Sequence, residues 1–293
     1  MSAAATPQHV LTVRARLGEG PVWDPMARCL YWLDIYNHRV HGFDPVTETD
    51  QVWDVGDVVG SLALADNSRL LLAQRHHLSW LDLTTGQVDL VIEVEPHLSE
   101  NRCNDGKCDP QGRFWFGTMG PAREGSLYRY SPDGSLQQME TGLTISNGLG
   151  WSPDGQWFYL TDSPCQVIYR YGFDPETGSL FGRQVWIDLT GESYFPDGLT
   201  VDSQGCLWVA LWDGWAVARF DPDGQEIERI PMPVQRPTCC TFGGENLNRL
   251  YITTASVGLS EKEIEKSFFS GDLYCLETNV TGIPAYRLGY NPT

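Results

Sequence analysis

Six times along this chain, roughly every 40 to 50 residues, a short strand-like run begins at a glycine-bearing turn. Five unit starts read Glu19-Gly20-Pro21-Val22-Trp23, Val59-Gly60-Ser61-Leu62, Asp105-Gly106-Lys107-Cys108, Asn147-Gly148-Leu149-Gly150-Trp151 and Asp197-Gly198-Leu199-Thr200-Val201. The sixth, Pro237-Thr238-Cys239-Cys240, keeps the shape without the glycine. A repeat of this period constrains the fold strongly, because one unit cannot bury its apolar face alone and must pack on copies of itself. In a closed repeat, equivalent positions face one another. Glu19, Asn147 and Asp197, far apart in sequence, are therefore expected to converge.

Each unit has the same internal grammar. A polar turn follows the opening strand, as in Asp109-Pro110-Gln111-Gly112, Ser152-Pro153-Asp154-Gly155 and Asp202-Ser203-Gln204-Gly205. Proline presets the first turn angle and glycine takes the positive φ, so these are hairpin signals. A second strand is predicted over residues 29–34, 69–73, 113–117, 157–161, 206–210 and 249–253. A third is predicted over 39–44, 78–82, 126–130, 167–173, 216–221 and 271–276, and a fourth over, for example, 51–55 and 184–189. Four antiparallel strands per unit and six units predict an all-β, six-bladed β-propeller in one domain over residues 10–293, with a short tail over 1–9. Residues 10–16 alternate and are expected to complete the last blade, and residues 259–267 read as a short helical turn in a loop. In such a ring the first strand of each blade lines the central channel, so the unit starts gather at one mouth.

Composition narrows the partners. The chain has 293 residues and a net charge of −18, with 38 acidic and 20 basic side chains, which repels phosphate backbones and argues against nucleic acid. No apolar run of about 18 residues suits a bilayer, and the first nine residues lack a secretory pattern. The eight cysteines show no paired CxxC spacing and several sit in apolar runs, which points to reduced, buried thiols, a cytoplasmic setting and, by default, a monomer.

Glu19, Asn147 and Asp197 offer three oxygen ligands, with room for water. Oxygen-only coordination suits one divalent cation, calcium, magnesium or manganese, with zinc or ferrous iron as alternatives. The bland reading is that acidic residues beside glycine only stabilise turns; three of six equivalent positions together argue against it. Asp105 occupies the corresponding place in the third unit, beside Arg102 and Asn104, whose planar fork and amide suit hydroxyl or carboxylate groups of a ligand. Weaker candidates are Asp162-Ser163, which could approach the channel mouth, His76-His77, read as surface or packing residues, and Trp212 and Trp215, read as walls of a pocket or, the favoured reading, as core cover. No G-x-S-x-G elbow or serine–histidine pairing is evident, which argues against a serine hydrolase.

At these residues the chain resembles the regucalcin/gluconolactonase (senescence-marker-protein) family of six-bladed propellers. The motifs that carry the resemblance are Gly18-Glu19-Gly20-Pro21-Val22-Trp23, the Arg102 to Arg113 stretch with Asn104-Asp105-Gly106-Lys107 and Asp109-Pro110, Gly117-Thr118-Met119, Ile145-Ser146-Asn147-Gly148-Leu149, Pro196-Asp197-Gly198-Leu199 and Cys239-Cys240 before Phe242-Gly243-Gly244. The resemblance implies a metal-dependent lactonase that opens a small-molecule sugar lactone to the aldonic acid. It implies Glu19, Asn147 and Asp197 as metal ligands, calcium foremost, Arg102 and Asn104 as substrate-binding residues, and Asp197 as general base. The loop after Gly-Thr-Met is short here, so Glu124 has no secure counterpart and the substrate pocket is expected to differ. A calcium-dependent arylesterase or phosphotriesterase and a non-enzymatic calcium-binding propeller are the competing readings.

Overall fold

The computed structural model describes residues 6–289. Its strands form six four-stranded antiparallel sheets, the blades of a β-propeller. Blade one comprises Gly18–Asp24, Cys29–Asp34, Arg39–Asp44 and Thr49–Asp54; the next four follow the same meander. In blade six the inner strands Pro237–Gly243, Arg249–Thr254 and Leu273–Glu277 are joined by Gln8–Leu11 from the opposite end of the chain. The expected closing segment, residues 10–16, is thus strand only up to Leu11. Beyond it, the N–H groups of Val13 and Arg14 donate to buried Asp272 at 2.8 and 2.7 Å, and Ala15 N–H donates to Gly271 carbonyl, turning the chain toward the axis. The expected tail falls partly in this strand, since Gln8 and His9 are paired; residues 1–5 and 290–293 lie outside the described residues.

Blades pack face to face through apolar clusters. Trp115 and Trp208 are fully buried on second strands, and each donates its indole N–H to a carboxylate at the foot of its own blade's first strand, Asp109 at 2.9 Å and Asp202 at 3.0 Å. An indole this size removes on the order of 200 Å² from water, several kcal/mol per ring, while its one polar atom stays bonded. The expected helical turn is a helix over Glu261–Lys266 with a Ser260/Glu263 capping box.

The glycines of the repeat do not sit in entry turns. They lie inside the channel strands, and each of the six channel strands loses register at this point, for example between Glu19 and Val22, Ser146 and Leu149, and Pro196 and Leu199. A bulge bends the strand and re-aims a side chain, here toward the axis. Gly20 takes a left-handed φ of 53° in its bulge. Gly148 serves close approach instead: a Cβ there would lie 2.5 Å from the Asp197 carbonyl oxygen of the next blade.

The opposite end of the channel is covered. Residues 281–289 cross the feet of the blades: Ser203 N–H donates to Thr281 carbonyl, Leu288 N–H to Leu64 carbonyl, Gly289 N–H to Gly112 carbonyl, and Arg287 pairs with Asp24. Above this strap a cavity of about 60 Å³ remains on the axis, between Lys107 and Tyr286. The strap thus lies across this end of the channel.

Candidate functional site

At the open mouth lies a cavity of about 340 Å³ whose lining includes Glu19, Arg102, Asn104, Asn147 and Asp197. All five predicted site residues meet in one place, though they come from blades one, three, four and five. Asn147 and Asp197 touch directly, the amide Nδ2 donating to the carboxylate Oδ1, and Asn147 Nδ2 also donates to Ser163 Oγ at 3.1 Å. Asn147 Oδ1 is buried with no hydrogen-bond partner. A buried amide oxygen with nothing to accept from is costly unless a cation or a water faces it.

The charge balance is equally incomplete. Burial, the nearby Asp197 and Asp105 carboxylates, in that order, push Glu19 well above the usual carboxylate range. Asp197 is likewise pushed up by burial and by Asp105, with Asn147 and Arg102 pulling the other way. Asp105 is raised by burial and restrained by the Lys107 ammonium. Beyond the Asn147 amide on Asp197 and local bonds from Gly20 N–H to Glu19 (3.0 Å) and Gly106 N–H to Asp105 (2.7 Å), these acids lack the donors that normally stabilise buried carboxylates. The donor set of two carboxylates and a free amide oxygen fits a hard divalent cation. Among the described residues no three His, Cys, Asp or Glu side chains form a ready metal-binding cluster.

Arg102 is held in place. Its Nη1 donates to Cys103 carbonyl at 2.9 Å and Asn104 Oδ1 at 2.7 Å, and its guanidinium lies 5.9 Å from the Tyr36 ring centroid. Asn104 Nδ2 donates to Ser146 carbonyl at 2.9 Å. Asn104 thus spends much of its capacity orienting Arg102 and tying blade three to blade four. Behind them, Glu95 accepts from Asn101 Nδ2 (2.8 Å), Thr118 Oγ1 (3.0 Å) and Tyr128 Oη (2.9 Å), a buried network that steadies the segment leading into Arg102.

Several expectations need correction. Asp162 does not approach the channel: its carboxylate accepts the Thr144 and Ile145 N–H groups at 3.2 Å and anchors the entry to blade four, whereas Ser163 does line the cavity. Trp212, expected as core cover, lines the cavity while also packing on blade-one residues. Glu124 is exposed and engaged only through its backbone, its carbonyl accepting from Asn101 Nδ2 and its N–H donating to the Pro121 carbonyl. Missed altogether were the apolar lining residues Leu17, Ile35, Met119, Ile145, Pro164 and Phe195. Leu17, Ile145 and Phe195 had a signal: each stands two residues before a predicted ligand, which on an extended strand means the same side, one step toward the mouth. All eight cysteines are free, five of them buried.

Fold and site define a six-bladed propeller with an under-compensated acidic centre at one mouth of its channel. The chain belongs to the SMP-30/gluconolactonase/LRE-like family, whose model matches residues 17–256. It is 37% identical over 271 residues to a 6-deoxy-6-sulfogluconolactonase of Pseudomonas putida, covering 91% of this chain and 92% of that protein. It is 35% identical over 296 residues to a pentonolactonase of Haloferax volcanii, covering 96% and 98%. The solved structure of a regucalcin from Agrobacterium tumefaciens, described as a calcium-binding protein, superposes with a TM-score of 0.92 at 31% identity, covering 97% of this chain and 99% of that one.

Proposed function

We propose that this protein is a metal-dependent sugar lactonase that hydrolyses an aldonolactone to the aldonic acid. The observation that carries the reading is the unpartnered Asn147 Oδ1 between two buried, uncompensated carboxylates, beside a fixed arginine at the floor of a substrate-sized pocket. The lactonases among its relatives support the reaction class. The regucalcin neighbour supports a divalent cation, calcium first among the candidates.

Glu19, Asn147 and Asp197 would hold the cation. When bound, a divalent cation polarises a carbonyl and acidifies water, more weakly for calcium than for zinc. Arg102, with Nη1 committed to protein, has the rest of its fork for the ring oxygen and the adjacent hydroxyl of the lactone, which fixes the carbonyl over the acidic floor. Asp197, anchored through Oδ1, uses Oδ2 to take a proton from the attacking water and returns it to the ring oxygen as the C–O bond breaks. Such a cation-dependent enzyme would work among reduced thiols, in keeping with a cytoplasmic site of action.

The test is lactone hydrolysis followed by pH-stat after chelation, after metal add-back, and in Glu19→Gln and Asp197→Asn. Loss on chelation with recovery on add-back, and loss in both variants, is the expected result. Activity that persists through all three rules the proposal out.

A further inference from the structure

We propose that the pocket selects lactones with a hydroxylated edge next to the carbonyl and a deoxygenated, apolar far end, a 6-deoxyhexonolactone being the simplest case, over fully hydroxylated aldonolactones. The inference deepens the lactonase reading and rests on it.

The pocket is built in layers. The channel strands place Glu19, Asn147 and Asp197 in the floor, with Asn104 from blade three. Two residues earlier on each strand, about 6 to 7 Å nearer the mouth, the same face carries Leu17, Ile145 and Phe195. Arg102, from the corresponding position of blade three, stands at that level beside Tyr36 and leans on Asn104 below. Above and around this layer stand Ile35, Met119, Pro164 and Trp212, from strand ends and the turns Ile35–Asn37 and Ser163–Cys165. Phe195 keeps 37% of its surface open although it points into the cavity, as a wall waiting for an apolar contact would.

The polar groups left over are few. Asn104 is engaged through both its oxygen and its nitrogen, Arg102 through one of its nitrogens, and Ser163 Oγ already accepts from Asn147. What remains is part of the Arg102 guanidinium fork, the Ser163 hydroxyl proton and the hydroxyl of Tyr36, which also lines the cavity. A lactone with hydroxyls along its whole length would press the distal ones against Leu17, Ile145 and Phe195, where nothing replaces their water. A methyl group there buries apolar surface instead.

Matched pairs test this: L-rhamnono-1,4-lactone against L-mannono-1,4-lactone, and D-fucono-1,4-lactone against D-galactono-1,4-lactone, each pair differing only by the 6-hydroxyl. We expect kcat/KM to favour the deoxy member by about tenfold or more in the pair whose stereochemistry is accepted. Phe195→Asn and Ile145→Asn, each checked for an unchanged circular dichroism spectrum, should collapse the preference toward unity through KM of the deoxy lactone. A preference for the fully hydroxylated member, or a ratio unmoved in whichever variant folds, overturns this inference and leaves the lactonase reading standing. Failure on all four while another aldonolactone is hydrolysed overturns this inference alone; failure on every aldonolactone with metal present overturns both.

Discussion

The two ends of the channel hold the same chemical group in opposite states. At the foot, Asp109 accepts from Gln111 and Arg113 N–H groups, Arg113 Nε and Trp115 Nε1, and Asp202 from Gln204 and Cys206 N–H groups, Trp208 Nε1 and Arg219. Every oxygen there is saturated by donors from its own blade. At the mouth, Glu19 and Asp197 are almost as buried but have one or two donors each and face one another's charge. A buried carboxylate surrounded by donors is a structural rivet; one surrounded by other acids is stable only with a cation or a proton. Burial alone does not distinguish the two, and the donor count does.

That contrast can be broken by substitution. Asp197→Asn should lower kcat/KM by about a thousandfold, within the range for loss of a general base, while the melting temperature holds or rises because a buried charge is gone. Parallel activity and calorimetry check it; a large loss of stability would place Asp197 with the rivets. Asp202→Ala should do the reverse, leaving Arg219 and the Trp208 indole without their acceptor and costing about 3–5 kcal/mol, with the activity of the folded fraction retained. Denaturant unfolding against active-site titration separates these.

Calcium at about a hundred times its dissociation constant should stabilise the chelated protein by about 2.7 kcal/mol, and Glu19→Gln should remove most of that gain; a thermal shift indifferent to Glu19 would count against the ligand set. The smallest effect concerns pH. Because Glu19, Asp105 and Asp197 are held above their ordinary range, the folded chelated protein binds more protons than the unfolded chain. Its stability from these groups is present below the unfolded carboxylate value of about 4 and falls as pH rises toward the raised folded values. Saturating cation should flatten that slope, since binding expels the protons. Melts across pH with and without cation measure it, and slopes that coincide would reject the account.

Much of this was legible beforehand because the repeat writes the same instruction six times. Strand positions follow from local turn chemistry, and most predicted strands fall within a residue or two of the observed ones, as at Cys29–Asp34 and Arg39–Asp44. The glycines were misplaced into turns because a glycine beside an acid looks the same in a bulge as in a hairpin; only the neighbouring blade shows that Gly148 is there for contact. Asp162 and Asp197 are indistinguishable as letters, yet one meets two backbone N–H groups and the other a free amide.

The amino-acid order by itself determined the six blades, the strands that face the axis and the convergence of Glu19, Asn147 and Asp197, since periodicity is a local property that closure turns into geometry. The tertiary structure alone decided which buried acids are left short of donors, that residues 281–289 close the far end, and that an apolar layer stands over the acidic floor. The last two depend on segments from distant parts of the chain, which no single repeat encodes; the first depends on whether a strand aims its acid at the donors of its own blade or, through a bulge, toward the axis.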